Sequence, residues 1–300
     1  MRFADTSKGR PFSKDPAVVK FKERYYMYYS LSELREEGKK HHFGIGIAVS
    51  DDLDNWSKAG ELEREQAYEA NGFCAPGAIV IGDRVHLFYQ TYGNGPKDAI
   101  CHAVSEDGLH FRRNETNPIF APTGDWNNGR AIDADIVKFN DAYWLYFATR
   151  DPQGKVQMQG VARTGTDSDF GRGSWTQACS EPILKPELDW EGLCIEAAAC
   201  CVRDGKLYMF YAGNYNNMPQ QIGCAVSEDG VHFRRLSDEP FLANGAPGEW
   251  NSSESGHPFV FTDDDDRTYL FYQGNDDNGQ TWYLSKVEIG WRDGLPYVTH

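Results

Sequence analysis

The chain repeats one pattern of apolar and polar positions five times. In each copy, an apolar segment is followed by a short polar turn and by a second segment that ends in an aromatic pair. The pairs are Tyr28-Tyr29, Phe88-Tyr89, Tyr146-Phe147, Phe210-Tyr211 and Phe271-Tyr272, and they begin 60, 58, 64 and 61 residues apart. Turns rich in Gly, Asp and Asn between such segments predict β-hairpins.

A second element recurs after the hairpins. AVSDDLDNW begins at Ala48, AVSEDGLHFRR at Ala103 and AVSEDGVHFRR at Ala225. Each of these segments predicts a third strand, a tight turn and a fourth strand that carries an aromatic residue. Four antiparallel strands in each of five repeats predict an all-β five-bladed β-propeller, and we expect residues 1–300 to form this single catalytic domain.

Composition and charge narrow the classes of function. Aromatic residues make up 14% of the chain, which suits both short strands and contacts with sugar rings. The net charge of −15 argues against nucleic-acid binding and is mainly interpreted as a contribution to solubility. No apolar run reaches the roughly 18 residues of a membrane span. We therefore expect no nucleic-acid or membrane partner, and the oligomeric state stays open.

The cysteines and the first sixteen residues are informative about the cellular compartment of the protein. Seven cysteines, two of them adjacent at Cys200 and Cys201, show no spacing typical of a metal site or a disulfide framework. Free buried thiols indicate a reducing compartment. Residues 1–16 contain no apolar run typical of a signal peptide, so the sequence as it stands predicts a cytoplasmic protein. Removal of such a signal would instead make it secreted or periplasmic.

Acidic residues recur where the predicted inner strands begin. The positions thirteen residues before each aromatic pair are Asp15, Ala75, Asp133, Ala197 and Pro258, and Glu196 and His257 precede the last two. The inner strands of a propeller surround its central channel. Burying a charged residue there is costly unless it serves a purpose. We therefore predict that Asp15, Asp133 and Glu196 are catalytic.

Four segments resemble the motifs of glycoside hydrolase family 43. Asp15-Pro16-Ala17-Val18-Val19 is similar to the opening motif, Ile132-Asp133-Ala134-Asp135-Ile136 to the second, Cys194-Ile195-Glu196-Ala197-Ala198 to the third and Ser255-Gly256-His257-Pro258 to the late Gly-His motif. Ala134 replaces a common proline, and Glu-Ala-Ala stands where Glu-Gly-Pro is usual. The resemblance extends from about Lys14 to Trp291.

The resemblance implies an inverting mechanism. Such enzymes place two carboxyl groups roughly 6.5–9.5 Å apart, so that water fits between the base and the anomeric carbon. Asp15 would be the general base and Glu196 the general acid. Asp133 would hold Glu196 in place and raise its pKa by like-charge repulsion. No cofactor is required, although the family suggests a structural calcium ion in the channel, held largely through water.

A further set of residues is predicted to contact the sugar. The set comprises Asn71, Phe73, Arg130, Asp135, Trp190, Glu254 and His257. Asp135 is also the alternative to Asp133, since residues two apart share one face of a strand. A role in core packing is the alternative for His257 and Trp190.

The substrate class follows from the resemblance alone. We expect an exo-acting α-L-arabinofuranosidase that releases terminal pentose from glycans derived from plant polysaccharides, with β-D-xylosidase or galactofuranosidase as alternatives. The charged loop Leu31 to His42 is expected to close one end of the channel.

Three other functions stay open. A phosphorylase would need a basic pocket, for which Arg130 and Arg150 are candidates. Fructan-cleaving enzymes open with an Asn-Asp-Pro-Asn-Gly type motif, from which Lys14-Asp15-Pro16-Ala17 departs. A non-catalytic sugar-binding propeller could share the fold but has no need for three acids in register.

Overall fold

The computed structural model describes residues 1–32 and 42–299, which form five antiparallel sheets of four strands each. Blade 1 contains β1 (Lys14–Phe21), β2 (Arg24–Ser32), β3 (Phe43–Ser50) and β4 (Ser57–Glu61). Blade 2 contains β5 (Phe73–Ile81), β6 (Arg84–Thr91), β7 (Ile100–Ser105) and β8 (Arg112–Arg113). Blade 3 contains β9 (Ile132–Phe139), β10 (Ala142–Arg150), β11 (Gln157–Gly165) and β12 (Thr176–Gln177).

The last two blades follow the same order. Blade 4 contains β13 (Ile195–Arg203), β14 (Lys206–Gly213), β15 (Gln221–Ser227) and β16 (Arg234–Arg235), and blade 5 contains β17 (Glu254–Thr262), β18 (Thr268–Asn275), β19 (Tyr283–Arg292) and β20 (Leu295–Val298). Short 3-10 helices cover Ala67–Glu69, Gly95–Lys97, Arg172–Ser174 and Asp189–Glu191. None of these described helices is long and apolar enough to cross a membrane. The predicted five-bladed propeller is confirmed.

The inner strands form a closed ring. β1 contacts β5, β5 contacts β9, β9 contacts β13, β13 contacts β17, and β17 returns to β1. The N-terminal segment supports this closure, because Phe3 pairs with Leu284 in β19 and Phe12 pairs with Trp282 just before it. The ring therefore brings the starts of five strands, far apart in sequence, around one axis.

The repeated aromatic pairs hold neighbouring blades together. Tyr28 donates a hydrogen bond to the carbonyl of Gly108 at 3.0 Å, and Tyr146 donates to Gly230 at 2.8 Å. Both glycines lie in the Ser-Glu-Asp-Gly turns of the next blade and have φ near +80°, a region that favours glycine. The two nearly identical sequence segments thus serve the same contact in blades 2 and 4.

The second tyrosine of a pair belongs to a buried ion-pair cluster. In blade 2, Tyr89 and Arg113 both donate to Glu69, each at 2.7 Å. Tyr211, Arg235 and Glu191 repeat the arrangement in blade 4. Breaking such a buried pair typically costs about 3–5 kcal/mol. The Phe-Arg-Arg sequence that both segments share therefore contributes to the stability of the fold.

Each inner strand is interrupted by a β-bulge near its start. The bulge holds one residue with positive φ, namely Asp15 (52°), Ala75 (48°), Asp133 (52°), Ala197 (53°) and His257 (41°). This conformation costs an L-residue roughly 1–2 kcal/mol. The sequence analysis aligned Pro258 with this position, which is wrong by one residue, because the turn around Asp263 is longer than the others.

Candidate active site

Side chains from neighbouring blades fix the bulges. In four blades, the backbone N–H of the positive-φ residue donates to a side-chain oxygen of the preceding blade. The pairs are Asp15 to Gln273 (3.0 Å), Ala75 to Ser30 (2.8 Å), Asp133 to Gln90 (2.7 Å) and His257 to Gln220 (3.2 Å). The strained backbone is thus stabilised between blades, as is common where strain positions functional groups.

The three predicted acids line one cavity. Asp15, Asp133 and Glu196 border a space of about 230 Å³ at the ring of bulges. Other polar residues around the cavity are Lys14, Gln90, Tyr92, Arg130, Arg150, Gln157, Tyr215, Asn216 and His257. All three acids are at most 8% exposed. The fold therefore gathers three buried carboxyl groups and three cationic side chains in a small pocket.

Asp15 is placed to be ionised. Its Oδ1 lies 3.1 Å from Nδ1 of His257. Burial alone would raise the pKa of Asp15, but the Lys14 charge, the contact with His257 and a hydrogen bond from Ser30 together hold that pKa below its ordinary value. Burial also lowers the pKa of His257, so Lys14 is the lasting positive charge beside Asp15. A buried carboxylate that is ionised at neutral pH can accept a proton from water.

Lys14 was not singled out by the sequence analysis. Its Nζ donates to Oδ1 of Asn216 at 2.7 Å and lies 4.4 Å from the ring centre of Trp282. Burial lowers the pKa of Lys14, but Asp15, Glu254 and other acids more than offset this and raise it. The signal available in sequence was its position directly before Asp15, at the start of an otherwise apolar strand.

Asp133 is in the opposite electrostatic state. Burial, followed by the nearby charges of Glu196 and Asp15, raises the pKa of Asp133 well above its ordinary value. Arg130 and Lys14 oppose this effect only in part. The surroundings of Asp133 therefore favour its protonated form.

Glu196 is surrounded by amide groups. Its Oε1 accepts hydrogen bonds from Gln220 at 2.8 Å and from Asn216 at 3.5 Å, and its Oε2 accepts a short one from Gln157. Gln220 reaches this position past Gly256, where an added Cβ would lie 1.8 Å from the amide oxygen of Gln220. The amides come from hairpins of blades 3 and 4, and the sequence analysis did not find them.

Two arginines share one amide oxygen in the cavity. Arg130 Nη1 and Arg150 Nε donate to Oε1 of Gln157 at 3.3 and 3.0 Å. Arg130 also lies 3.6 Å from a carboxylate oxygen of Asp98. Among the described residues, no carboxylate is within ion-pair distance of Arg150, which instead lies over the ring of Tyr215. The structure thus places the predicted Arg130 at the cavity, together with Arg150.

Two predicted acids lie outside the cavity. The bulge at Asp133 breaks the alternation of the strand, so Asp135 does not share its face and instead accepts the N–H of Cys200 at 2.8 Å. Burial raises the pKa of Asp135 to about 7. Glu254 is fully buried behind the pocket and accepts from Gln273 at 2.9 Å. Burial also raises the pKa of Glu254 to about 7.

Three other predicted sugar contacts also lie elsewhere. Asn71 is exposed and donates to Asn94. Phe73 is 1% exposed and belongs to the hydrophobic core. Trp190 is stacked on Tyr211, with the ring centres 6.0 Å apart, which is the packing role considered for it. His257, in contrast, lines the cavity and faces Asp15.

The ion and loop expectations are not settled by the site. In the part of the chain that the structure describes, no group of three or more His, Cys, Asp and Glu side chains is arranged to hold a metal ion directly. The calcium ion held through water stays a prediction. The charged loop from Leu31 to His42 lies largely outside the described residues, which omit 33–41.

Sequence comparisons place the chain among carbohydrate-active proteins. The sequence model for glycosyl hydrolases family 43 matches residues 9–296. A β-1,2-mannobiose phosphorylase from Thermoanaerobacter sp. (strain X514) is 31% identical over 136 residues, which cover 40% of this chain and 43% of the relative. A 1,2-β-oligomannan phosphorylase from the same organism is 25% identical over 207 residues, which cover 67% of this chain and 64% of the relative. The matched segments thus span less than two thirds of either relative.

Solved structures share the whole fold. A thermostable family-43 glycoside hydrolase has a TM-score of 0.75 at 23% identity, covering 99% of this chain and 96% of that one. An endo-1,4-β-xylanase from Bacteroides thetaiotaomicron VPI-5482 has the same TM-score and identity, covering 96% and 94%. An α-L-arabinofuranosidase from Lactobacillus brevis has a TM-score of 0.71 at 15% identity, covering 95% and 93%. At these identities the likeness concerns the fold.

Proposed function

The chain belongs to glycosyl hydrolase family 43, and we propose that it is an inverting glycoside hydrolase. The observation that supports this most is the cavity in which Asp15, Asp133 and Glu196 meet with different electrostatic surroundings. Paired carboxyl groups whose surroundings separate their proton affinities are the basis of acid–base catalysis in glycosidases. Asp15 is the base, and Glu196 is the residue that protonates the leaving group.

The proposed reaction is a single displacement. A water molecule held by Asp15 attacks the anomeric carbon and gives its proton to the Asp15 carboxylate. The bond between the anomeric carbon and the glycosidic oxygen breaks at the same time, and that oxygen takes a proton from Glu196. Lys14 and His257 keep Asp15 ionised for this step.

The size of the cavity favours a single sugar ring. About 230 Å³ is smaller than the roughly 300–1,000 Å³ typical of pockets for drug-sized ligands. We therefore favour exo-action on a terminal sugar. An α-L-arabinofuranoside is the first candidate, and a β-D-xyloside or a galactofuranoside is the alternative.

A panel of aryl glycosides of arabinofuranose, xylopyranose, galactofuranose and mannopyranose tests this proposal. We expect turnover of one terminal sugar, with the inverted anomer detected first by ¹H NMR. The Glu196→Gln protein should lose most activity on a natural glycoside and less on a substrate with a good leaving group, which needs no acid. Initial release of the retained anomer would overturn the mechanism.

Phosphorolysis is the second candidate function. Arg130 and Arg150 converge on the neutral oxygen of Gln157, and Arg150 has no carboxylate partner among the described residues. Arginine pairs of this kind suit the recognition of phosphate. Two curated relatives are phosphorylases of β-1,2-linked mannosides. In this reaction a phosphate oxygen, instead of water, would attack the anomeric carbon.

Phosphate dependence separates the two candidates. The protein is incubated with β-1,2-mannobiose, with and without inorganic phosphate, and sugar 1-phosphate is followed by ³¹P NMR. Phosphorolysis predicts a sugar 1-phosphate only when phosphate is present, and a large rise in the KM for phosphate in Arg150→Met. Release of free sugar at a rate independent of phosphate would support hydrolysis instead.

A further inference from the structure

The amide groups around Glu196 have fixed orientations. Gln157 cannot turn its oxygen towards Glu196, because Arg130 and Arg150 both donate to that oxygen. A flipped amide would place its N–H groups against two guanidinium groups. Gln157 therefore presents only a donor to the Glu196 carboxyl group.

The other two amides are oriented in the same way. The oxygen of Gln220 accepts the backbone N–H of His257 at 3.2 Å. The oxygen of Asn216 accepts Lys14 Nζ at 2.7 Å, and it also accepts an amide N–H of Gln273 at 3.2 Å. Three locked donors thus surround Glu196, and none of these amides can accept a proton from it.

Asp133 has the opposite hydrogen-bond surroundings. Within residues 1–32 and 42–299, no group donates a hydrogen bond to its carboxyl oxygens, and its backbone N–H is held by Gln90. A buried carboxylate without donors is costly, whereas a carboxylate with three donors is stabilised. The two acids therefore differ in which form their surroundings accommodate.

We propose that, in the substrate-free enzyme, Asp133 carries the catalytic proton and Glu196 is a carboxylate held by three amides. Upon binding, sugar hydroxyl groups compete for the donors of Gln157 and Asn216, the two amides that line the cavity, so Glu196 becomes more basic. The proton then passes from Asp133 to Glu196 across the cavity that both acids line, leaving Asp133 as the carboxylate, and Glu196 passes it to the glycosidic oxygen. This inference rests on the proposed function only for the last transfer.

Charged and titratable groups of four blades face this pair around the cavity. They are Lys14 and Asp15 from β1, Cys74 from β5, Arg130 and Arg150 from the segments around β9 and β10, and His257 from β17. Lys14 and Arg130 act against protonation of Asp133, and Asp15 acts in its favour. The burial of Asp133 and its closeness to Glu196 and Asp15 outweigh these cations and keep its pKa high.

Carboxyl ¹³C NMR of the full-length protein tests where the proton lies. Side-chain carboxyl carbons of Asp and Glu are labelled, and the two resonances are assigned from their loss in Asp133→Asn and Glu196→Gln. At neutral pH we expect Asp133 to show the chemical shift of a protonated carboxyl group and Glu196 that of a carboxylate. A protonated Glu196, or ionisation of both acids at neutral pH, would overturn the proposal.

Gln157→Met provides a test that keeps all three acids. Loss of one locked donor should move the titration midpoint of Glu196 to higher pH and that of Asp133 to lower pH. Unchanged midpoints for both acids would contradict the role given to the amides. Because these measurements need no turnover, they are informative even if the protein proves inactive on every glycoside, which would count only against the proposed function.

Discussion

Asp15 and Asp133 occupy the same place in two different blades. Both have φ of 52°, and both donate their backbone N–H to a glutamine of the preceding blade. Their neighbours differ, because Asp15 lies beside Lys14 on β1 and faces His257 of blade 5, whereas Asp133 lies close to Glu196 and Asp15. Their pKa values are consequently shifted in opposite directions. The repeat sets where an acid stands, and the side chains around each acid set the direction of its pKa shift.

The largest expected effect is on turnover. Asp15→Asn removes the base and should lower kcat/KM on an aryl glycoside by about 10²–10⁴-fold. Asp135→Asn is the control, because Asp135 is also a buried acid but lies outside the cavity. It should retain near wild-type activity. Equal losses in the two variants would indicate that damage to the fold, not chemistry, explains the result for Asp15.

The same amide substitution should have opposite effects on stability at the two equivalent positions. The folded-state pKa of Asp15 is lowered, so its contribution to stability is present above the unfolded-state pKa and is lost as pH falls through the folded-state value. Asp15→Asn should therefore destabilise the protein at neutral pH by on the order of 1 kcal/mol.

For Asp133 the sign is reversed. Its folded-state pKa is raised, so ionisation makes folding less favourable as pH rises above the unfolded-state pKa. Asp133→Asn should stabilise the protein at neutral and higher pH by several kcal/mol, with the gain vanishing in acid. Chemical denaturation at several pH values measures both variants. Destabilisation by both substitutions at neutral pH would show that the two aspartates are electrostatically alike.

Lys14→Met should make Asp15 behave more like Asp133. Without the ammonium group the pKa of Asp15 rises, so the acidic limb of the kcat/KM profile moves to higher pH. The loss of its hydrogen bond to Asn216 should also lower the free energy of unfolding, by roughly the 1.5–3 kcal/mol of a hydrogen bond to a charged group.

Lys14→Arg is the matched control for this change. It keeps the positive charge, so the acidic limb should stay near its wild-type position even if the geometry of the hydrogen bond is imperfect. An acidic limb that does not move in Lys14→Met would mean that His257 and Ser30 set the protonation of Asp15 without Lys14.

The fold was predictable from sequence because its signal is repeated. Five aromatic pairs and two copies of the Ser-Glu-Asp-Gly turn serve contacts between blades that recur around the ring, as the hydrogen bonds of Tyr28 and Tyr146 show. The three acids were found for the same reason, since they begin equivalent strands. Contacts and strand starts that recur from blade to blade leave a repeating pattern of residues in the sequence.

The rest of the site depends on features that do not repeat. The alternation of side chains along a strand does not reveal the bulge at Asp133. For this reason Asp135 was predicted, wrongly, to share the face of Asp133. Gln157 and Asn216 come from hairpins of different lengths, so no register identifies them. A partial signal existed in Gln90 and Gln273, which both follow an aromatic pair and both hold a bulge in the next blade.

The smallest effect concerns the bulge itself, at an equivalent position that carries no acid. Ala197 has φ of 53° and follows Glu196, so it bears the strain of the bulge without contributing a functional group. Ala197→Gly should relieve roughly 1–2 kcal/mol of left-handed strain. It also increases the entropy of the unfolded chain, which costs about 0.4–1 kcal/mol. The expected net gain in the free energy of unfolding is therefore about 0.5–1 kcal/mol, measurable by chemical denaturation.

Ala75→Gly should increase the free energy of unfolding in the same way, because Ala75 has φ of 48° in blade 2. A loss of stability in both variants would mean that the methyl groups of these alanines pack well enough to outweigh the strain that Asp15 and Asp133 share with them.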